Sequence, residues 1–269
     1  MFVAKEYIEA CNRGGDTAHI AALDMVKAFP RVNHDAVIIK LYERNFPTPI
    51  VELIRNWFDR SSSRVNWNGS VSESFTLRTG VNQGSVLAPF IFAVLIDDII
   101  RMCTDCQHYD KGLILVYADD IILITRSRRY LQELLLLVQL ELAAIGLELN
   151  ASKCCFTRIG PLFDKYCAPI VTTNGTEIPE VAEFRYLGVF FVSARSFRAN
   201  FDKAKRFFSE AANCILSHLQ GHATEEVIFH LLKTKAIPIL LYATEAVEPS
   251  LSIIRSLDFC FYSICYKGS

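Results

Sequence analysis

The sequence lacks an excess of charge of either sign. Its 269 residues include 28 Lys and Arg against 29 Asp and Glu, which gives a formal net charge of −1 at pH 7. Proteins that bind nucleic acid without sequence preference usually carry a basic excess, because they neutralise a phosphate backbone. The composition therefore argues against a generic nucleic-acid binder, and any contact with nucleic acid must depend on local basic patches.

The sequence also lacks an apolar run long enough to cross a bilayer. Its longest apolar segment, residues 86–100, is interrupted by Asp97 and Asp98 and is too short to span a membrane. The N-terminal segment, MFVAKEYIEACNRGG, contains no apolar region typical of a secretory signal. We therefore expect an intracellular protein, nuclear or cytoplasmic, that is not secreted and has no membrane partner.

A disulfide framework and a zinc site are not indicated either. The nine cysteines are odd in number and lie scattered through apolar segments, which is typical of reduced thiols in an intracellular protein. Cys103 and Cys106 precede His108, but no second pair of Cys or His follows at zinc spacing. The sequence therefore predicts free cysteines.

The sequence does contain enough apolar material for a large core. Hydrophobic residues make up 51% and charged residues 21% of the chain, which excludes global disorder. Predicted strands lie in the first 190 residues or so, and predicted helices fill most of the rest. This order predicts an α+β body followed by a helical segment.

One stretch, Leu113–Thr125, combines two apolar runs with a polar turn. Its sequence, LILVYADDIILIT, predicts two buried strands joined at Tyr117–Asp120 as a β-hairpin. A single Asp is common in turns, but two adjacent carboxylates at the rim of a core are costly unless a cation neutralises them. Carboxylates are ligands that Mg²⁺ prefers, so the pattern favours a divalent-metal site at this turn.

Turn and cap signals predict the other elements. We expect strands over residues 18–25, 147–150 and 154–158, a strand pair or hairpin edge over 184–192, and a hairpin over 64–79 around Asn68-Gly69. We expect helices over residues 3–13, 33–45 capped by Asn33, 49–59, 85–102 capped by Ser85, and 128–145. From residue 196 the pattern is helical, with breaks at Pro238 and Pro249.

Several of these segments together resemble a known family. Tyr117-Ala118-Asp119-Asp120 between two apolar strands is similar to the catalytic signature of reverse transcriptases. Further matches are Gly80-x-x-Gln83-Gly84 with Pro89 and Phe92, Gly146-Leu147-x-x-Asn150-x-x-Lys153, Phe184-Arg185-Tyr186-Leu187-Gly188, and the thumb-like segment Lys233 to Glu245. The chain most resembles the reverse transcriptase domain of non-LTR (LINE-type) retrotransposons.

The resemblance implies a right-hand polymerase fold. Residues 1–192 would form the palm with partial fingers, and residues 193–269 a thumb-like helical segment. The family's earlier fingers motifs are missing from the sequence, which suggests a fragment or a degenerate copy. Pro30 stands where the family usually has Asp, which alters the local turn but removes no metal ligand.

The resemblance also implies the chemistry. Asp24, Asp119 and Asp120 would hold two Mg²⁺ ions, which Mn²⁺ could replace, for two-metal-ion nucleotidyl transfer. The ordinary alternative for Asp24 alone is a cap at the end of a strand. Lys153 would approach the pyrophosphate as a general acid or charge stabiliser, although a lone Lys is usually only solvated.

The remaining predicted site residues would bind substrate and primer. By resemblance Phe29 stacks under the incoming sugar and excludes a 2′-hydroxyl, for which ordinary core packing is the alternative. The same resemblance assigns Gln83, Gly84 and Tyr117 to the incoming nucleotide, and the primer grip to Tyr186, Leu187 and Gly188.

The implied partners are an RNA template, a DNA primer and dNTPs. The basic stretch from Arg195 to Arg206 would follow the phosphates of the template–primer duplex, and a solvated helix face is the alternative. A group II intron-type or bacterial reverse transcriptase is a second enzymatic interpretation. A truncated, inactive protein that at most binds nucleic acid is the non-enzymatic one. The sequence does not indicate an oligomeric state.

Overall fold

The computed structural model describes residues 1–82, 84–104, 112–219 and 223–268, without the side chains of 102–104 and 265–268. The chain divides into two compact units. We call residues 17–158 and 165–181 the sheet unit, and residues 1–16, 159–164 and 182–269 the helical unit. These boundaries differ from the predicted division after residue 192, because the N-terminal segment and the strands after residue 182 belong with the helical part. The assignment of fingers, palm and thumb stays a prediction.

The helices and strands are numbered in chain order. The helices are α1 Phe2–Arg13, α2 His34–Glu43, α3 Thr48–Asp59, α4 Ala88–Thr104, α5 Arg128–Ala144, α6 Asp202–Leu219, α7 Glu225–Leu231, α8 Ile237–Leu241, α9 Thr244–Val247 and α10 Leu251–Gly268. The strands are β1 Ala18–Leu23, β2 Ser62–Ser63, β3 Asn66–Trp67, β4 Ser70–Val71, β5 Phe75–Thr76, β6 Gly112–Tyr117, β7 Asp120–Thr125, β8 Cys155–Ile159, β9 Ile170–Val171, β10 Glu177–Ile178, β11 Glu183–Tyr186, β12 Val189–Val192 and β13 Ala199–Asn200.

A four-stranded sheet in the order β6-β7-β1-β8 forms the centre of the sheet unit. β7 pairs antiparallel with β6 on one side and with β1 on the other. Every residue of β7 from Ile121 to Thr125 is buried, as expected for a central strand covered on both faces. The predicted hairpin over Leu113–Thr125 is therefore confirmed.

Two long helices complete the core of the sheet unit. α5 presents Leu131, Leu135, Val138 and Leu142 at helical spacing, and all four are fully buried. α4 contacts α2, α5 and β6, and its Phe92 is only 1% exposed. This core fixes the end of the sheet at which the predicted metal ligands lie.

Local signals correctly predicted most helix starts. The Asn33 side chain caps α2 by accepting a hydrogen bond from Ala36 N, and Ser127 caps α5 by accepting from Tyr130 N. The hairpin around Asn68-Gly69 also forms, as β3 and β4, with φ of +49° and +85° at the two turn residues.

Two predicted elements in the sheet unit are wrong. α4 starts at Ala88 and not at Ser85, because Pro89 occupies a first-turn position where its missing N–H costs nothing. Residues 147–150 form no strand, and only a single bridge joins Leu149 to Met25. The preceding helix ends in the Gly146 turn, at φ +77°, which leaves too few residues to build a ladder.

The helical unit contains the hairpin β11–β12, which adds β13 as a third strand. β13 was not predicted, because two residues carry no detectable alternation. The predicted break at Pro249 is confirmed, since it separates α9 from α10. The predicted break at Pro238 is wrong: α7, a π-helical turn over Leu232–Ala236 and α8 follow one another without a gap, and Pro238 lies in the first turn of α8. Pro lacks the N–H that an α-helix needs in its interior, and here the π-helical turn precedes it.

The stretch Glu225–Val247 is long and apolar enough to cross a membrane by length and composition alone, a test that core helices of soluble proteins also pass. In the structure this stretch is divided among α7, the π-helical turn, α8 and α9, and Ala243 within it adopts φ +60°. The expected absence of a membrane partner stays a prediction.

Candidate active site

Asp24 follows directly on β1, and Asp120 opens β7. Leu23 pairs with Ile121 as the last pair of the β1–β7 ladder, so Asp24 and Asp120 are the next residues beyond it. The two carboxylates therefore leave neighbouring strands at the same end of the sheet. The shared end of the sheet agrees with the predicted pairing of these strands, and the role of the carboxylates as metal ligands stays a prediction.

The turn between β6 and β7 holds the third carboxylate. Tyr117 pairs with Asp120, which leaves Ala118 and Asp119 as a two-residue loop. Ala118 adopts φ +53°, a region that non-glycine residues enter at a cost of about 1–2 kcal/mol. Tyr117, Asp119 and Asp120 are all exposed, so the turn presents its polar groups to solvent.

Two neighbours contact the backbone of Asp24. Its carbonyl oxygen accepts a hydrogen bond from Asn150 N at 2.8 Å, and its own N–H points to Cys154 Sγ at 3.5 Å. Burial raises the pKa of the Cys154 thiol, so this neighbour stays neutral and adds no negative charge.

One carboxylate oxygen of Asp24 has no hydrogen bond. Among the described residues nothing donates to Oδ2, which is shielded from solvent, and the ammonium of Lys153 lies 3.6 Å away. A buried, unsatisfied oxygen is costly, and a cation at this position would remove the cost. Lys153 itself is 67% exposed on its side chain, so it covers Asp24 only loosely.

The carboxylates do not form a closed metal cluster. Across the part of the chain that the structure describes, no three His, Cys, Asp or Glu side chains come together as a site for an ion. The donor chemistry nevertheless fits a hard divalent cation, since carboxylate oxygens from two neighbouring strands and their turn are its preferred ligands. The unsatisfied Oδ2 of Asp24 is the structural observation that supports this fit.

Phe29 lies in a 3-10 turn over Phe29–Arg31, close along the chain to Asp24. It is half-buried, and its ring stacks on Phe92 with 5.0 Å between centroids. The structure thus shows the core packing that was the alternative for Phe29. Its role as a steric gate stays a prediction.

The loop that Gly80 and Gly84 bracket, which we call the glycine-bracketed loop, packs through its first residues on this turn. Gly80 N donates to Val32 O at 2.8 Å, and Val81 N donates to Phe29 O at 3.0 Å. Gly80 has φ +88°, and a Cβ there would lie 2.7 Å from the carbonyl oxygen of Pro30. Only glycine fits at this position, which explains the first glycine of the motif.

Gly84 is exposed, and Gln83 lies outside the described residues, as do Cys106 and His108 of the incomplete zinc spacing. The predicted roles of Gln83, Gly84 and Tyr117 toward a nucleotide stay predictions. The predicted role of Lys153 toward a pyrophosphate also stays a prediction, although the structure shows its ammonium beside Asp24.

The predicted primer grip belongs to the helical unit. Tyr186 pairs with Val189 across the β11–β12 hairpin and is buried. Leu187 and Gly188 form the two-residue turn, with φ of +46° and +82°. Positive φ at both turn residues is the type I′ geometry that suits a twisted hairpin.

The basic stretch is partly neutralised by its own neighbours. Lys203 pairs with Glu183 at 3.1 Å, and Lys205 pairs with Asp202 at 2.6 Å. Arg195 and Arg198 are exposed. The surface is therefore less basic than the count of Lys and Arg in the sequence suggested.

Sequence reasoning missed His34. Its Nε2 lies 2.8 Å from Gly80 O, and its ring stacks on Phe58 with 3.9 Å between centroids. His34 thus ties α2 to the glycine-bracketed loop. No local signal could have found it, because the contact joins residues 46 positions apart.

Comparisons with known proteins identify the family to which the chain is similar. A family model described as "Reverse transcriptase (RNA-dependent DNA polymerase)" matches residues 3–191. The Pol polyprotein of the retrotransposable element R2DM of Drosophila melanogaster is 29% identical over 68% of this chain and 18% of its own length. The RNA-directed DNA polymerase of the mobile element jockey of Drosophila funebris is 28% identical over 76% of this chain and 22% of its own length. The chain therefore spans about a fifth of the length of these relatives.

Solved structures support the fold. Apo telomerase from Candida tropicalis matches 100% of this chain and 45% of its own, with a TM-score of 0.59 and 13% identity. Telomerase from Candida tropicalis in complex with a fragment of telomeric RNA matches 99% of this chain and 43% of its own, with a TM-score of 0.56 and 14% identity. At this identity the likeness concerns the fold alone, and it confirms the predicted mixed α+β polymerase palm fold.

Proposed function

The chain belongs to the reverse transcriptase (RNA-dependent DNA polymerase) family, and we propose that it adds deoxynucleotides to a primer 3′-hydroxyl on an RNA template, as part of a non-LTR retrotransposon protein. The observation that carries the proposal is the pairing of β1 with β7. It brings Asp24 and Asp120 to one end of the sheet, next to the turn that contains Asp119.

Asp24, Asp119 and Asp120 would hold two Mg²⁺ ions, and Mn²⁺ could serve in place of Mg²⁺. When bound, such ions make a hydroxyl a better nucleophile and neutralise charge on a departing pyrophosphate. The unsatisfied Oδ2 of Asp24 and the exposed carboxylate of Asp119 are the ligand atoms that the chain offers from two separate segments.

Lys153 would serve the leaving group. Its ammonium sits 3.6 Å from Asp24 Oδ2, and its side chain is mostly exposed, so it can turn from Asp24 toward a pyrophosphate. A Lys side chain has a flexible stem and three donors, which suits a group that changes partners during a reaction. At the leaving oxygen it would donate a proton or neutralise charge.

Phe29 and the loop that begins at Gly80 would shape the nucleotide site. The loop is hydrogen-bonded to the Phe29 turn, and the ring of Phe29 is backed by Phe92. Stacking on Phe92 would hold the Phe29 ring in a fixed position. The ring would then leave no room for a 2′-hydroxyl and so would favour deoxynucleotides. The implied ligands are dNTPs, with an RNA template and a DNA primer as partners, in an intracellular compartment.

A primer-extension assay tests the proposal. The full chain is incubated with a poly(rA)–oligo(dT) duplex, dTTP and Mg²⁺, beside Asp119→Asn and the control Asp164→Asn, an exposed Asp in a loop. We expect extension by the parent and by Asp164→Asn, and a loss of at least about a hundredfold in Asp119→Asn. A folded parent that does not extend the primer contradicts the proposal.

A second candidate is a protein that binds nucleic acid without synthesis. The absence of a closed carboxylate cluster among the described residues favours it. Fluorescence anisotropy with the same duplex separates the two candidates. Binding that weakens with salt, without extension in Mg²⁺ or Mn²⁺, would support this alternative.

A further inference from the structure

The turn of the β11–β12 hairpin is strained at a non-glycine residue. Leu187 adopts φ +46° at the first turn position, where Asn or Asp is the usual residue because a bulky side chain is disfavoured there. The hairpin is short, since each of its strands has four residues. Such a turn keeps its shape only if contacts from elsewhere hold it.

Tyr242 makes two such contacts. Its hydroxyl donates a hydrogen bond to Leu187 O at 2.9 Å, across 55 positions of sequence. Its ring covers Gly188 so closely that a Cβ there would lie 2.8 Å from a ring carbon, Cε1. The ring therefore occupies the space that a side chain at position 188 would need.

The backbone around Tyr242 is specialised for this placement. α8 ends at Leu241, Tyr242 has an extended ψ of 128°, and Ala243 adopts φ +60°. The side chain is 56% exposed, so burial in a core does not explain it. What the phenol ring and hydroxyl do contact is the hairpin turn.

A cavity lies beside the same turn. It has a volume of about 550 Å³, and Tyr242, Gly188, Arg185, Phe190, Lys203 and Phe207 are among the residues that line it. On the opposite wall Lys203 Nζ lies 3.6 Å from the centroid of the Phe190 ring. Gly188 therefore borders open space on this side, beside the Tyr242 ring.

We propose that Tyr242 is a positioning residue, which fixes the Leu187–Gly188 turn and through it the place of the primer 3′ end. The inference rests on the proposed function, in which this hairpin holds the primer. Duplex affinity depends mainly on phosphate contacts spread over the surface, whereas the rate depends on where the terminal hydroxyl lies. Loss of Tyr242 should therefore lower kcat and leave the affinity for duplex nearly unchanged.

The test uses three variants of the full chain. Tyr242→Phe removes the hydrogen bond and keeps the ring, and Tyr242→Leu removes both. Tyr166→Phe is the control, since Tyr166 is 92% exposed. For each we would measure amide hydrogen exchange in residues 186–190, the dissociation constant for the poly(rA)–oligo(dT) duplex, and kcat of primer extension.

We expect exchange in the turn to rise about fivefold in Tyr242→Phe, with a similar fall in kcat, and both effects to be larger in Tyr242→Leu. The dissociation constant should stay within about twofold of the parent, since the phosphate contacts remain. Unchanged exchange in the turn overturns the inference, and so does a loss of duplex affinity as large as the loss of kcat.

A double variant adds a second test that does not depend on activity. Gly188→Ala should speed exchange in the turn, because its methyl meets the Tyr242 ring. When Gly188→Ala is added to Tyr242→Leu, it should speed exchange in the turn by a smaller factor, since the ring that the methyl would meet is gone. Equal effects in both backgrounds contradict the contact. If the parent fails to extend a primer, the proposed function fails, and the exchange data alone decide whether Tyr242 fixes the turn.

Discussion

The ammonium of Lys153 lies 3.6 Å from the Oδ2 atom of Asp24, an oxygen that receives no hydrogen bond from the described residues. If Asp24 holds a divalent ion, as proposed above, the charge of Lys153 lies where it would compete with that ion for the same carboxylate. The Lys153 side chain would then have to move when the ion binds. This relationship gives opposite expectations for metal binding and for catalysis.

Lys153→Gln should bind Mn²⁺ more tightly and catalyse more slowly. Removing the competing cation should strengthen metal binding about two- to fivefold, because an exposed ion pair contributes about 0.2–1 kcal/mol. Extension should slow because charge at the leaving pyrophosphate is no longer neutralised. Titration with Mn²⁺ followed by electron paramagnetic resonance measures the first effect, and single-turnover extension the second.

Lys165→Gln is the matched control, since Lys165 is an exposed Lys in a loop. It should change neither quantity. Mn²⁺ affinity in Lys153→Gln that equals or falls below that of the parent would show that Lys153 does not compete for the site.

Phe29→Val should relax discrimination between dTTP and UTP. If the Phe29 ring blocks a 2′-hydroxyl, the smaller side chain should raise kcat/KM for UTP relative to dTTP by about tenfold or more. The lost stacking on Phe92 should also cost about 1–3 kcal/mol of stability, less than truncation of a fully buried Phe. Steady-state extension with each nucleotide and urea unfolding provide the two measurements.

Phe46→Val provides the comparison. Phe46 is a partly buried ring packed against the same core, and its ring meets that of Phe90 edge to face at 5.9 Å between centroids. It should lose stability without a change in the nucleotide ratio. If Phe29→Val does not change kcat/KM for UTP relative to dTTP, Phe29 is a core residue and not a steric gate.

The end of the sheet was predictable because its signals are local. Apolar runs flank the Asp119-Asp120 turn within 13 residues, and antiparallel pairing then requires Asp24 to meet Asp120 if β1 is their neighbour. The Asn33 cap and the Asn68-Gly69 turn were likewise predicted from a few consecutive residues. The missed start of α4 was a choice between Ser85 as a cap and Pro89 in a first turn, two local signals that conflict.

The contacts that refine the site were not predictable. Cys154 lies against the backbone of Asp24 across 130 positions, and Tyr242 meets Leu187 across 55. Cys154 belongs to no motif, and the thumb-like segment that contains Tyr242 does not indicate which residue its side chain contacts. Only tertiary packing selects their partners, so only the structure could identify them.

Arg44→Met should destabilise the sheet unit by about 2 kcal/mol. Arg44, the residue that follows α2, binds two carboxylates of α4, Asp97 at 2.8 Å and Asp98 at 2.6 Å, and its side chain is 15% exposed. Burial alone would raise the pKa of Asp98, but hydrogen bonds from Lys40 and Arg44 lower it below the usual range. Removing Arg44 leaves adjacent, half-buried negative charges, and breaking such a pair costs more than the pair contributes.

Urea unfolding at pH 7 measures the Arg44 effect, and Arg129→Met is the control. Arg129 makes an exposed pair with Glu133 at 3.0 Å within α5, so its loss should cost less than about 0.5 kcal/mol. The Arg44 deficit should shrink as pH falls below the normal Asp range toward the lowered pKa values of Asp97 and Asp98 in the parent, because both carboxyls are then protonated with or without Arg44. A deficit that does not depend on pH would assign the loss to packing.

His19 should make the chain less stable as pH falls from about 6.5 to about 4. Burial against Phe156, with a smaller effect from Arg158 and Arg128, lowers the pKa of His19 to about 4. The unfolded chain takes up a proton near pH 6.5, whereas the folded chain stays neutral until about pH 4, so protons favour unfolding in this interval. The loss is at most about 3 kcal/mol and is complete below pH 4. Urea unfolding of His19→Phe beside the parent at pH 7.5 and pH 4.5 isolates it, since the variant cannot titrate there. A parent that loses no more stability than His19→Phe over this range would show that His19 is not held neutral.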